Sequence, residues 1–438
     1  MKAIYFFIFL FAGIEVSAQQ YSLNSIYSEF ATKARRQKFD SYLRNETARQ
    51  TFFQDINEDT EFDYESACLS VTQFQLRSSI IQNGLAKMFN RYNGLEYSTK
   101  RALLATVYAL YDSAFVPEVK SIIARENNPK LFAIEASYLY RRNPSQANIQ
   151  TILQQMRRQI PGCDTLAVTM ELFKYLSSHQ SQLKDTLPDI QQLFVYQQVW
   201  KQKTVYSFQR WNRDYPGLAI IQNEDGSFAK DGAGKLLVFR QLARAATNLP
   251  YFLTNGNTPQ GVFSIGGVGI SHNNIIGPTP NLQTLLPNEK DSIYWRYLSF
   301  DSTIEPLENY SHLLPPSWQN YIPMTEAFYA GKAGRSEIIV HGTTLDPVYF
   351  SNEKFYPISP TDGCLCAREI WDPETGTLKQ SDQLNLVNTF LATPDAYGLL
   401  MVINLNNKQS EVTREEIEAI VNKFEAQKGT LTKKPQEE

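Results

Sequence analysis

From about Asn24 to Trp200 apolar residues recur at spacings of three and four and glycine is sparse, the period of amphipathic helices. Within this half, "RALLATVYALYDSAFVPEVKSIIARE" from Arg101 is echoed by "KLFAIEASYLYRRNPSQANIQTILQQM" from Lys130, an offset near 30. Each unit reads as a helix, a short polar turn and a second helix, which fits either stacked helical hairpins or a plain bundle. After Trp200 the pattern shortens. "TVYSFQRW", "GLAIIQNEDGSFAK", "KLLVFRQL", "GVFSI", "SEIIVHGT" and "YGLLMVINL" read as strands, with Asp225-Gly226 and Asp231-Gly232 as hairpin signals. "GGVGIS", Gly266 to Ser271, reads as a glycine-rich turn after a strand, since it lacks the lysine of a phosphate loop. Asn274 to Tyr329 has weak periodicity, as expected of a lid or of a covering layer with short helices. Near the end, Thr413 and Glu416 stand at capping-box spacing before a helix with Ile417, Ile420, Val421 and Phe424 on one face, and the chain beyond Gly429 reads as a frayed tail.

The first residues add a compartment. Lys2 precedes an apolar run from Ala3 to Ile14, and Val16-Ser17-Ala18 are small residues of the kind a signal peptidase reads, which predicts cleavage after Ala18. A spanning helix needs about 20 apolar residues, and Glu15 ends this run early. The expectation is a protein exported to the periplasm or cell envelope of a bacterium, without a transmembrane anchor. The net charge of −3 gives no long-range attraction to nucleic acid, and the aromatic richness suits many folds. Four cysteines, Cys68, Cys163, Cys364 and Cys366, are too few for a disulfide scaffold, although export permits a Cys68–Cys163 bridge.

The chemistry concentrates in "SPTDGCLCAREIW", Ser359 to Trp371. Cys364 follows a glycine, and His341 ends the strand-like "SEIIV", 23 residues upstream. An imidazole close to a thiol stabilises the thiolate, the nucleophilic form. Cys364 and Cys366 with His341 are also potential metal ligands, but zinc needs four, and C-x-C lacks the usual spacer. A Cys364–Cys366 disulfide would close a very small ring. A buried apolar cysteine fits Cys366 better than Cys364. The other histidines, His179, His272 and His312, carry no comparable context; His272 and His312 flank the weakly periodic segment.

Three segments taken together resemble the L,D-transpeptidase catalytic domain family. "TPQGVFSI" (Thr258 to Ile265), "VHGT" (Val340 to Thr343) and "TDGC" (Thr361 to Cys364) follow that family's order, over roughly residues 205–405. The helical half lies outside the likeness. The resemblance implies a mostly β catalytic domain with the cysteine in a cleft. It implies that Cys364 attacks the peptidoglycan stem-peptide carbonyl before a terminal D-alanine, and that the acyl group passes to an amine of a second stem. Water as acceptor would make the protein a carboxypeptidase. His341 would act as base and then acid, and the Gly342 carbonyl would orient the imidazole. Backbone N–H groups around Gly363 and Cys364 would hold the oxyanion, Thr361 would brace the turn or hydrogen-bond substrate, and Asp362 and Thr343 would contact substrate. No cofactor or metal is implied. Two positions depart from the family: Asp362 stands where histidine is usual, and Cys366 where arginine or asparagine is usual. An inward-pointing Asp362 would raise the thiol pKa. The His341–Cys364 spacing is long, so "TTLDPVYFSNEKFYPISP" is expected to frame the cleft.

The expected organisation is α + β and multidomain: a signal peptide (1–18), a helical and potentially repeat-built region (19–200) with a protein partner that the sequence does not identify, an L,D-transpeptidase-like domain (201–408), and a C-terminal helix and tail (409–438). A catalytically silent cell-wall binding protein that works through its helices is the opposing expectation.

Overall fold

The computed structural model describes residues 20–178 and 186–431. The segment read as an export signal, His179, and the last seven residues of the chain lie outside them. Among the described residues, no helix is long and apolar enough to cross a membrane.

The N-terminal half is helical. Glu61–Gln73 is followed by Ser79–Asn90, Tyr97–Leu110 by Val116–Ile123, and Pro129–Arg142 by Gln146–Gln159. The first helix of each pair packs on the first helix of the next, and Ala167–Ser178 continues the row. The repeat also appears in the polar contacts. Thr72 Oγ1 to Thr106 Oγ1, Ser98 Oγ to Glu65 Oε2, Arg77 Nε to the Leu110 carbonyl and Glu96 N–H to Glu61 Oε1 span 34, 33, 33 and 35 residues. Hydrogen bonds recurring at one separation are what a stacked array makes and an irregular bundle does not. These polar contacts recur at separations nearer 34 residues than the 30 of the sequence echo.

The C-terminal half is β-rich. Its ten strands are β1 (Thr204–Arg210), β2 (Gly217–Gln222), β3 (Phe239–Leu242), β4 (Gly261–Gly269), β5 (Asn281–Leu285), β6 (Val340–His341), β7 (Leu365–Ala367), β8 (Glu369–Trp371), β9 (Leu378–Ser381) and β10 (Gly398–Asn406). Eight close into a barrel-like sheet in the order β1-β10-β4-β5-β6-β7-β3-β2, and β8 and β9 pair separately. Neighbours are antiparallel except β1 with β10 and β6 with β7. Every residue of β1 and β2 is buried, because one face of this wall packs in the core shared with the other barrel strands and the other face in a second apolar cluster. Val205, Phe263, Val340 and Leu365 join one cluster, while Tyr206, Phe208 and Met401 join another with Tyr310 and Trp318.

Two readings of the sequence change here. "GGVGIS" is not a turn: Gly266 to Gly269 form the second half of β4, with a bulge between Ile265 and Gly267, and pair with β5. The strand β5 itself lies inside the weakly periodic segment. After it come the short helices Asp291–Tyr294, Pro306–Ser311, Pro316–Gln319 and Glu326–Lys332, which bury Tyr294, Tyr310 and Trp318. This is a covering layer.

At the C-terminus, the Thr413 N–H donates to Glu416 Oε2 (3.0 Å) and the Glu416 N–H to Thr413 Oγ1 (3.3 Å), a reciprocal capping box. Buried Arg210 also donates to Glu416 Oε2 at 2.5 Å, which pins the helix to the end of β1. That helix runs Arg414–Leu431, past the glycine where fraying was expected.

Candidate active site between β6 and β7

The three motifs, far apart in sequence, meet at one end of the barrel. Val340 of β6 pairs in parallel with Leu365 of β7, and the Leu365 N–H donates to the Ile339 carbonyl. Thr258 Oγ1 donates to the Gly363 carbonyl at 2.8 Å across 105 residues. "TPQG", "VHGT" and "TDGC" are thus joined by main-chain pairing and one buried hydroxyl.

Side chains alternate along a strand. Val340 and Leu365 enter the core, so His341, Cys364 and Cys366 take the other face. The register places His341 opposite Cys366, two residues beyond Cys364. From strand spacing and rise, His341 and Cys364 have Cα atoms about 8 Å apart. No hydrogen bond joins imidazole to Cys364. Its sulfur accepts from the Ile339 N–H (3.4 Å) and donates to the Glu337 carbonyl (3.5 Å). The expected thiol–imidazole bond is therefore absent from this resting geometry, because the thiol is turned along β6 toward Glu337.

His341 is 3% exposed. Its Nδ1 faces the Gly342 carbonyl at 2.5 Å, so Nδ1 carries the proton and Nε2 the lone pair. Burial lowers the imidazole pKa to about 4, with the Gly342 bond opposing. Burial pushes the Cys364 thiol up to about 11; the Ile339 N–H lowers it, Asp362 raises it, and Arg335 lowers it. The resting pair is a neutral thiol and a neutral imidazole.

The turn is held by Thr361, whose Oγ1 accepts from the Gly363 N–H (3.1 Å) and donates to the Cys364 carbonyl (2.9 Å). Two expectations are corrected. The Gly363 N–H is engaged by Thr361, so it is not presented as an oxyanion donor. Thr343 is buried, its hydroxyl donating to the Ile275 carbonyl and its N–H to Glu369, so it braces the loop instead of meeting substrate. Asp362 is exposed. Crowding by nearby protein raises its carboxyl pKa, and Arg101 and Arg335 counter that. The arginines offset the charge that would oppose thiolate formation.

Cys366 lies fully buried among Leu242, Phe350, Phe355 and Ile358, and burial raises its thiol strongly. The aromatic residues come from the enlarged loop after "VHGT", which covers this cysteine. All four cysteines are free. Among the described residues, no three His, Cys, Asp or Glu side chains group as a metal site. His272 and His312 are exposed.

The motifs did not reveal two residues. Arg335 is 6% exposed; its Nη1 donates to the Tyr251 and Asn257 carbonyls (2.6 and 2.7 Å), and its Nη2 packs on Gly363. It stands on no periodic element and 29 residues from the cysteine in sequence, so no local signal marks it. Glu369 is the other. It is a charged residue within "CLCAREIW", buried at 8% exposure against Gly342.

The helical half reaches this site. Gln73 Nε2 donates to the Pro360 carbonyl (2.9 Å), Gln75 Nε2 to Ala246 (2.8 Å) and Arg36 Nη2 to Thr344 (2.8 Å). Beside Thr258 a cavity of about 440 Å³ is bounded by Glu171 and Lys174 from the helices and by Arg213, Asn257 and Glu326 from the barrel side. Burial raises the Glu326 carboxyl to about 7, with the Gln260 N–H and Arg213 opposing. The native state thus holds this proton more tightly than the unfolded chain does. The resulting loss of stability develops as pH rises from about 4.5 to 7 and then levels off. Glu326→Gln has no carboxyl to titrate. Its stability relative to wild type is expected to improve by about 2 kcal/mol between pH 5 and pH 8 in urea melts, the carboxyl being only partly covered; a pH-independent difference would refute the burial account.

Compared with known proteins, the chain matches no family model, no curated protein and no solved structure.

Proposed function

We propose that the protein is an exported cysteine acyltransferase of the L,D-transpeptidase type, acting on peptidoglycan stem peptides. The observation that carries this reading is the convergence of "TPQG", "VHGT" and "TDGC" on one turn, with Cys364 and His341 on the same face of β6–β7.

In the proposed reaction the thiol of Cys364 leaves Glu337, passes its proton to His341 Nε2, and attacks the stem carbonyl before the terminal D-alanine. A thioester forms as the C–N bond breaks, and the imidazolium returns the proton to the departing amine. An amine of a second stem then attacks the thioester, its proton passing through His341 back to the thiolate. The Arg335 guanidinium and the Cys364 N–H are the donors assigned to the oxyanion, a contribution of about 3 kcal/mol per well-placed donor in acyl transfer. Catalytic hydrogen bonds are commonly long in unliganded sites, and turning the thiol from Glu337 toward His341 is the motion this site needs.

One observation favours a silent binding protein: the thiol is held protonated and away from the imidazole. The two readings part in one experiment. Protein lacking residues 1–18 is incubated with tetrapeptide muropeptides, and products are read by mass spectrometry. Released D-alanine with crosslinked dimers is the expected result, and D-alanine with tripeptide alone would identify a carboxypeptidase. Retained sacculus binding with no release would overturn the enzyme.

A further inference from the structure

The peptide unit between Gly342 and Thr343 is gripped at both ends. Its carbonyl faces His341 Nδ1 at 2.5 Å, and its N–H donates to Glu369 Oε2 at 2.9 Å. The other carboxyl oxygen, Oε1, accepts from Ser381 Oγ at 2.7 Å. No ion pair to Glu369 is present among the described residues. A Cβ on Gly342 would fall inside the contact radius of the Glu369 carboxyl group. Glycine at 342 is therefore what lets the carboxylate reach the peptide. The next peptide is held as well, its Thr343 carbonyl accepting from Trp371 Nε1 at 2.8 Å.

We propose that Glu369 is a positioning residue for His341, acting through the Gly342–Thr343 peptide as a carboxylate–peptide–imidazole relay. A negative charge on the N–H side of an amide draws electron density toward its carbonyl oxygen. That strengthens the oxygen as acceptor for Nδ1–H, fixes the tautomer with Nε2 bare, and steadies the imidazolium when Nε2 takes a proton. The inference rests on His341 being the base of the proposed reaction, but the geometry is independent of any substrate. Burial moves the Glu369 carboxyl to about 7, with the Ser381 hydroxyl opposing, so the relay changes charge near neutral pH. The ionisable group that faces it is the Cys366 thiol on β7; farther off, the Arg36–Asp346 pair stands by Thr344 and Asp362, Arg335 and Glu337 surround Cys364.

The test is proton and nitrogen NMR of the His341 ring in ¹⁵N-histidine-labelled protein, assigned with a His341→Asn variant. In wild type the Nδ1–H resonance is expected to step with pH, with a midpoint near 7. Glu369→Gln keeps an oxygen for the Thr343 N–H but has no charge, and should flatten that step. Ser381→Ala, a gentler change, should move the midpoint upward. In the muropeptide assay Glu369→Gln should lower kcat about 10- to 100-fold with KM little changed. A His341 signal that titrates identically in wild type and Glu369→Gln would overturn the relay, even if D-alanine is released. A flattened step in a protein that releases none would keep the relay and defeat the enzyme reading.

Discussion

Cys364→Ala is expected to lose D-alanine release by at least about 10⁴-fold while folding as wild type, and Cys366→Ser to stay within about tenfold of wild type. Removing a covalent nucleophile eliminates the pathway that splits the acyl transfer into two steps. The register makes this a real contest, since Cys366 and not Cys364 stands opposite His341. Accessibility decides it. Cys366 is fully buried among Phe350, Phe355 and Ile358, whereas Cys364 is half-buried at the mouth of the β6–β7 pair. A thiol in an apolar cluster is inert, and a reactive one needs solvent and nearby positive charge, which Arg335 supplies only at Cys364. Mass spectrometry of the acyl-enzyme and of a thiol-reactive probe reads the outcome directly. An adduct on Cys366, or a folded but inactive Cys366→Ser, would transfer the nucleophile to Cys366.

Gly363→Ala is expected to cost about 3 kcal/mol of stability. Gly363 has φ +113, a conformation that residues with a Cβ rarely adopt. The new Cβ would lie 2.6 Å from the Gly256 carbonyl oxygen and against the Arg335 guanidinium. The guanidinium is buried and tied to the Tyr251 and Asn257 carbonyls, and the Gly256 carbonyl belongs to a turn whose Gly256 N–H is bonded to Leu253, so neither gives way freely. Backbone strain and overpacking each contribute about 1–3 kcal/mol. Gly232→Ala is the internal control, because its Cβ would meet nothing within 4 Å and its φ is ordinary. Urea melts of the two variants at one pH separate them. A Gly363→Ala variant within 1 kcal/mol of wild type would mean that the turn relaxes freely and that its geometry is not fixed by Arg335 and Gly256.

What the sequence by itself determined is local. Spacings of three and four marked the helices, alternation and apolar runs marked β1, β2, β4 and β10, and the Thr413–Glu416 spacing specified a capping box whose two bonds both form. The order of the three motifs singled out Cys364 and His341. Tertiary closure decided the rest, because each remaining feature depends on a partner distant in sequence. β5 has no alternation of its own, and it is a strand because β4 and β6 flank it. Gly266 to Gly269 read as a turn until that partner supplied their hydrogen bonds. Thr258 reaches Gly363 across 105 residues. Arg335 and Glu369 are buried because a turn and a glycine leave them room, and a charged side chain gives no sign in sequence of being held inside. Even the outward direction of Asp362, and the nearby charge of Arg101 from the helical half that lowers its carboxyl pKa, belong to tertiary placement that no motif encodes.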